Sequence, residues 1–294
     1  MPLRVAAIDI GSNAVRCLIS EVTRETDRPT KLKLLRVPLR LGFDTFLEGE
    51  ISKKRVANIL RLMKCYQLLM EIYEVQHYRA CATSAMRDAR NGPEIVNRVK
   101  IETNLDIEII SGREEAHIIF ETHAADRFNH RRNYLYIDVG GGSTDLTLFS
   151  HGEEKARESF NIGTIRLLNN QVKGRAWKEM RMWLEQYVKP ESNLVAVGSG
   201  GNINTIFQLS RKRKGTALTT DFVNQFCQQI NAMTVEERMK RYSMKPDRAD
   251  VVNHACKIFC SILEWTGISK MYVPQIGVVD GLVQRMAEDL TSKN

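Results

Sequence analysis

Two stretches of the chain set carboxylates, glycines and hydroxyls in an order that suits phosphate chemistry. Between Tyr136 and Phe149 an apolar run ends at Asp138, and Gly140, Gly141, Gly142, Ser143 and Thr144 follow before Asp145 opens an alternating run. Three consecutive glycines let the backbone take positive φ and approach a ligand with no Cβ in the way, and successive amides in such a turn form an anion nest. A carboxylate beside a phosphate cradle is repulsive unless a hard cation lies between them or a water is to be activated. Asp138 and Asp145 are therefore candidate metal or water ligands; a glycine-rich hairpin with turn-forming aspartates is the alternative. The same order recurs near the start, where a strand through Ile8 reaches Asp9, Gly11, Ser12 and Asn13 and returns through Val15 and Arg16. Asp9 aligns with Asp138 and Gly11 with Gly140.

Both stretches turn back into strands, whereas Walker loops and dinucleotide fingerprints open a helix directly after the glycines. Two such hairpins suggest a duplicated domain facing a shared phosphate site. Paired Asp-x-Gly hairpins resemble those of the actin, Hsp70 and sugar-kinase superfamily. Four motifs in one order, Asp9-Ile-Gly-Ser-Asn13, Ala82-Thr-Ser-Ala-Met-Arg87, Ser111-Gly-Arg-Glu-Glu-Ala116 and Asp138-Val-Gly-Gly-Gly-Ser143, resemble the exopolyphosphatase and guanosine pentaphosphate phosphohydrolase (Ppx/GppA) family over nearly the whole chain.

That resemblance implies an α/β fold of two actin-like (ribonuclease H-like) domains, with mixed sheets flanked by helices and an active-site cleft between them. It implies release of terminal orthophosphate from polyphosphate or guanosine pentaphosphate, an alarmone of the stringent response, with Mg²⁺ or Mn²⁺ as cofactor. Glu115 is then the base on the attacking water, working with Asp138 and Asp145, and Asp9, Asp138 and Asp145 face the metal. The phosphate contacts implied are Gly11, Ser12, Asn13, Arg16, Arg87, Gly140, Gly141, Gly142, Ser143, Thr144, Gly163 and Arg166. A third glycine loop adds Gly198, Gly200 and Gly201. The chain departs from the family at Asp145, where Glu is usual, and at His117, where Arg is common. Two rival readings are a non-catalytic polyphosphate or alarmone sensor and a superfamily kinase acting on a small hydroxyl compound.

The elements that must position these residues follow from periodicity. Lys31 to Leu41 alternates and reads as a third strand, with Pro38 marking an edge. Ser52 fits an N-cap before a long helix whose apolar face is Val56, Ile59, Leu60, Met63, Leu69, Met70 and Tyr73. Tyr78–Thr83 reads as a buried strand entering a helix at Ser84, which places Arg87 and Arg90 near the junction. Asp106–Ile110 is a short strand, and Ser111 with Glu114 forms a capping box opening a helix to about Phe128. Glu115 has no such structural role.

A polar, basic join at residues 126–132 sets the expected division at 1–128 and 129–294. Beyond it come a strand over Lys155–Ile162, a helix entered through Gly163 and Arg166, a helix over Trp177–Val188 and a strand over Asn193–Val197. The glycine turn from Gly198 follows, then a helical stretch from Thr220 to Ile262 with an N-cap at Thr234, a strand at Tyr272 and Val273, and a last helix from Ile276. The whole looks like the short, two-domain form of the family.

Composition sets the outer bounds. The chain has 294 residues, 43% of them hydrophobic and 27% charged, enough for two medium cores. A net charge of +8 favours an anionic partner. Nucleic acid is disfavoured, because zinc-finger spacing and RNA-recognition signatures are absent and only 7% of residues are aromatic. The six cysteines are scattered and the first segment is a strand rather than a signal sequence, which implies a cytoplasmic location. No apolar run approaches the roughly 20 residues of a membrane span. Cys256 and Cys260 share a helix face near His254, a pattern more usual for small core residues than for a metal site. A homodimer is left open.

Overall fold

The computed structural model describes residues 2–23, 29–124, 132–151, 153–189 and 194–292, with backbone alone at 119–124 and 291–292. The chain divides into two compact units, one formed by Met1–Ala124 with Ile276–Asn294 and the other by Ala125–Gln275.

In the first unit, β1 (Leu3–Ile10), β2 (Val15–Val22) and β3 (Thr30–Val37) form an antiparallel meander. There follow α1 (Leu41–Glu48), α2 (Lys53–Ile72), β4 (His77–Ala82), α3 (Ser84–Asp88), α4 (Gly92–Thr103), β5 (Glu108–Ile109) and α5 (Gly112–Ala124). Strands β4 and β5 run parallel to β1, giving the order β3-β2-β1-β4-β5. Strand β1 lies inside this order, and Val5, Ala6, Ala7, Ile8 and Ile10 are all fully buried, which is why it reads as a continuous apolar run rather than an alternating one. Strand β3 is the edge, and the chain leaves it at Pro38. The third strand expected to continue to Leu41 stops at Val37 because α1 begins at Leu41. Ser52 caps α2 by accepting from the Arg55 amide, and the helix buries Val56, Ile59, Leu60 and Met63.

In the second unit, β6 (Asn133–Val139), β7 (Thr144–Ser150) and β8 (Glu153–Phe160) repeat the meander. There follow α6 (Thr164–Leu168), α7 (Gly174–Tyr187), β9 (Leu194–Ser199), α8 (Gly201–Leu209), β10 (Leu218–Thr219), α9 (Thr220–Asn231), α10 (Val235–Tyr242), α11 (Pro246–Ala249), α12 (Val252–Thr266) and β11 (Lys270–Tyr272). Read from β8, the order β8-β7-β6-β9-β11 matches β3-β2-β1-β4-β5, with β9 parallel to β6 and β11 parallel to β9. Strand β10 is added antiparallel at the end. The duplication inferred from the two hairpins is thus a duplication of sheet topology, two mixed sheets flanked by helices. Helix α12 sets Val252, Ala255, Phe259 and Ile262 into the core beneath Leu135, Ile137 and Leu146. Thr234 and Glu237 close a reciprocal capping box on α10.

The last helix, α13 (Val278–Ser292), departs from the expected division, which assigned it to the second half. Its Val279, Leu282, Val283 and Met286 pack with Val5, Ala7, Leu18 and Val22 of β1 and β2. Two ion pairs fix it there, Lys31 with Asp280 and Arg285 with Glu114. An apolar face at helical spacing says that a helix is buried but not against which sheet. The expected boundary at 128/129 lies outside the described residues. Among the described residues, no helix is long and apolar enough to cross a membrane.

Candidate active site

In the second unit the glycine tip is gripped through its carbonyls. The Gly140 amide donates to the Ser143 carbonyl across the turn (3.0 Å), and the start of α6 takes the other side of the chain. The Thr164 amide donates to the Gly140 carbonyl (3.1 Å), the Ile165 amide to Gly141 (2.9 Å) and Arg166 Nε to the Gly142 carbonyl (2.8 Å). A Cβ at Gly163 would lie 2.3 Å from the Gly141 oxygen and 2.4 Å from the Gly142 carbon, backbone atoms that cannot swing aside. Gly163 is therefore required by the tip itself, and Arg166 braces the tip with the nitrogen nearest its chain. Ser143 Oγ donates to Asp145 Oδ2 (3.0 Å), and buried Thr144 donates to the Ile162 carbonyl (2.6 Å).

The third glycine loop joins this tip because β9 lies parallel beside β6, with Ser199 in register with Asp138. Gly200 has φ +99°, and a Cβ there would stand 3.0 Å from Asp138 Oδ1 and 2.8 Å from the Val139 carbonyl. Gly201 is covered by the Arg248 guanidinium, whose Nη2 would be 2.2 Å from a Cβ. Gly198 differs from both, since Ile203 and Met271 side chains fill the space beside it, making it a packing glycine. Ser199, in register with Asp138, and Asn202 of α8 bury an Oγ and an Oδ1 that have no hydrogen-bond partner among the described residues. Buried polar atoms are nearly always satisfied, so a pair of this kind beside a glycine loop points to a ligand.

The first unit builds its tip differently. The Gly11 amide again donates across the turn, to the Ala14 carbonyl (3.2 Å). Ser12 and Ser84 share a hydroxyl hydrogen bond of 2.7 Å, which ties the tip to the β4–α3 junction. Arg40, with φ 54°, sends its amide to the Asn13 carbonyl (3.0 Å), while the Gly42 amide donates to Ser12 (2.8 Å). The Arg40 guanidinium stacks 4.1 Å from the centre of the Phe43 ring. Arg87 Nη1 donates to the Ile110 carbonyl (2.9 Å), just before the turn that leads to Glu115. There, the Glu114 amide donates to Ser111 Oγ (3.1 Å) and the Glu115 amide to the Ser111 carbonyl (3.0 Å). The Glu114 carboxylate is held by Arg285, so the expected capping box is completed on its serine side while its acid is tied to another helix. Asp9 lies in register with Cys81 of β4, and burial pushes the Cys81 thiol well above its ordinary range, with the charges of Asp9 and Glu115 adding to the rise.

Metal fit separates the two tips. Asp9 is 3% exposed and ion-paired with Arg16 at 2.7 Å. Burial pushes its carboxyl above the usual range against the pull of Arg16, with which it is engaged. At the second tip Asp145 occupies the register position opposite Asp138. Among the described residues no group of three His, Cys, Asp or Glu side chains could hold a metal. Mg²⁺, however, is usually held by only one or two carboxylates together with substrate phosphates and waters, which Asp138 and Asp145 fit.

Of the residues expected from sequence, the second tip gathers Asp138, Gly140–Thr144, Asp145, Gly163, Arg166, Gly200 and Gly201. The first gathers Asp9, Gly11, Ser12, Asn13, Arg16 and, through Ser84, the Arg87 junction. Arg40 and Arg248 were not expected. Each reaches its glycine turn from far along the chain, with no local pattern to announce it.

A sequence profile of the Ppx/GppA phosphatase family matches residues 18–290. The chain belongs to that family. Among Ppx/GppA relatives, it is 26% identical to exopolyphosphatase 2 of Mycobacterium tuberculosis, covering 97% of this chain and 98% of that one. It is 29% identical to the bifunctional 3-dehydroquinate synthase/phosphatase of Fusobacterium nucleatum over 89% of this chain, but spans only 43% of that protein. It is 26% identical to the guanosine-5'-triphosphate,3'-diphosphate pyrophosphatase of Aeromonas hydrophila over 95% of this chain, spanning 58% of that one. The crystal structure of the Ppx/GppA family member of Aquifex aeolicus superposes with a TM-score of 0.77 at 25% identity, covering 100% of this chain and 99% of that one.

Proposed function

We propose that this Ppx/GppA protein hydrolyses the terminal phosphoanhydride bond of a linear phosphate polyanion, inorganic polyphosphate or guanosine pentaphosphate, and releases orthophosphate. The names of the relatives support the substrate class, and the net charge of +8 suits it. The observation that carries the reading is the second tip. Its carbonyls are committed to α6, its peptide planes are locked by Gly163, and two carboxylates face each other at its base.

Phosphoryl transfer needs positioning and charge neutralisation more than covalent chemistry. With the carbonyl edges of Gly140, Gly141 and Gly142 turned to α6 and the Gly140 amide closing the turn, the amides of Gly141 and Gly142 are the ones offered to phosphate oxygens. Arg166 and Arg248 hold the two glycine turns in place. Asp138 and Asp145 would hold Mg²⁺, which when bound neutralises phosphate oxygens. In the first unit, Ser12 and Asn13 form the second anion-binding turn, and Glu115 accepts the proton of the attacking water.

The test is orthophosphate release from polyphosphate, with Mg²⁺ and without any nucleotide. Time-dependent release is expected. Phosphate transfer that requires a nucleotide and a hydroxyl acceptor would make the protein a kinase, and tight binding without release would make it a sensor; either result overturns the proposal.

A further inference from the structure

Among the described residues, Arg238 of α10 is the one lysine or arginine that is buried, at 6% exposure. A charge taken out of water is costly unless hydrogen bonds replace its hydration, and Arg238 finds them on three other helices. Its Nε donates to the Ile230 carbonyl in the last turn of α9 (3.0 Å). Its Nη1 donates to the carbonyl of Ala249, the last residue of α11 (2.9 Å), and to Asn253 Oδ1 in the first turn of α12 (3.1 Å). Both carbonyls belong to helix C-termini, where backbone oxygens lack intrahelical partners and the dipole favours a cation. Arg238 therefore ties three helices together by their ends.

Helix α11 needs such a tie. It is a single turn, Pro246–Ala249, without a side-chain cap, and one turn of helix does not hold its own position. What it carries is Arg248, the neighbour of the residue whose carbonyl Arg238 holds. The Arg248 guanidinium lies against Gly201, where a Cβ would meet Nη2 at 2.2 Å, Nη1 at 2.5 Å and Cζ at 2.7 Å. Gly200, next in the turn, has its Cβ position 3.0 Å from Asp138 Oδ1. A line of contacts thus runs from the buried guanidinium through α11 and the glycine turn to the carboxylate, all of it within the second unit.

We propose that Arg238 is a positioning residue for the candidate active site: by fixing α11 it seats Arg248 on Gly201 and so holds the third glycine turn against Asp138. Its buried guanidinium acts through Arg248 and not on the substrate. The consequence for activity rests on the reading that this turn and Asp138 serve phosphoanhydride hydrolysis. Lysine is not an equivalent here, because an ammonium is a point charge without the planar fork that spans the ends of α9 and α11.

Hydrogen–deuterium exchange and steady-state kinetics on the full chain test this together, with Arg238→Met, Arg238→Lys, Arg248→Met and the double variant Arg238→Met/Arg248→Met. Exchange in residues 198–206, the turn and the start of α8, should rise in Arg238→Met and Arg248→Met alike. It should rise no further in the double variant, because both changes remove the same support. In parallel, kcat/KM for orthophosphate release from polyphosphate should fall by up to about 10²-fold, the cost of misplacing a positioned group by about 1 Å. Arg238→Lys keeps the charge, is the safer variant to fold and should show the same changes in smaller measure. Ile230→Val loosens the same core but leaves all three acceptors in place, and should change neither readout. Parent-like exchange at 198–206 in Arg238→Met, or in Arg238→Lys should the first not fold, overturns the proposal. Equal effects in Ile230→Val, or losses that multiply in the double variant, overturn it as well. A parent that releases no orthophosphate would instead overturn the proposed function, and the exchange measurement would still decide whether Arg238 holds the turn.

Discussion

Asp138 stands opposite Asp145 across the β6–β7 hairpin, at the register positions where the β1–β2 hairpin sets Asp9 opposite Arg16. One topology is built twice, and one exchange of residue type changes what each copy can hold. In the first copy the pair is internally neutral and the acid is buried. In the second, two acids face each other across the hairpin, and like charges directly opposite are destabilising.

Asp145→Asn should therefore stabilise the protein when divalent ions are chelated, by about 0.2–1 kcal/mol, the usual range for a cross-strand pair. It should also abolish most of the stabilisation that Mg²⁺ gives to the parent, since binding to the folded state alone raises stability by mass action. Thermal unfolding in EDTA and in excess Mg²⁺ measures both effects. An unchanged Mg²⁺ shift in the variant would show that the facing carboxylates do not hold the ion.

Glu115→Gln keeps the volume and the helix start but removes a proton acceptor. A general base typically contributes about 10²–10⁴-fold, so kcat should fall by that factor. KM should stay within about threefold, because loss of a negative charge does not weaken anion binding. Initial rates against polyphosphate separate the two constants, and a full rate in the variant removes Glu115 from the chemistry.

Gly163→Ala places a methyl group 2.3 Å from the Gly141 oxygen, so the tip or the start of α6 must move. Overpacking against backbone costs typically about 1–3 kcal/mol. The hydrogen bonds from residues 164–166 to the tip carbonyls should weaken together, so both stability and substrate affinity should drop. Gly174→Ala, where a Cβ meets nothing within 4 Å, serves as the matched control and should leave both unchanged. Equal behaviour of the two variants would mean that the tip tolerates displacement.

What sequence could reveal here was local. Alternation and glycine punctuation disclosed both hairpins, Ser52 and Thr234 marked helix starts, and repetition of Asp-x-Gly disclosed the duplicated topology. Register decided the rest. Asp9 and Asp138 occupy equivalent positions, each in the second pair from its turn, but the partner across the hairpin is Arg16 for one and Asp145 for the other, which the Asp-x-Gly repeat alone does not show. Arg248, Arg285 and the return of α13 depend on contacts far apart in sequence, where nothing in either partner's neighbourhood encodes the other. The resemblance implies Gly163 as a close-approach residue, and the backbone of Gly141 and Gly142 is what an added Cβ there would meet.

The Glu114–Arg285 pair gives that return a pH signature. The hydrogen bond from Arg285 is the chief cause holding the Glu114 carboxyl below its ordinary value of 4.5. An acid whose folded value is depressed contributes stability that is fully present above its unfolded value and is lost as pH falls through the folded one. The side chains are 18% and 41% exposed for Arg285 and Glu114, so solvent screening keeps the contribution within the range for surface pairs, about 0.2–1 kcal/mol. Arg285→Met should consequently lower the urea midpoint at pH 7 and converge with the parent as pH falls through the depressed Glu114 value. Glu114→Gln should match it at pH 7 without disturbing the Ser111 cap, which uses the residue's amide and not its carboxylate. The double variant should cost no more than either single one, because both remove the same interaction. A deficit in Arg285→Met that persists at low pH would assign the effect to lost packing of the arginine stem, and the ion pair would then have no part in holding α13 to the first unit.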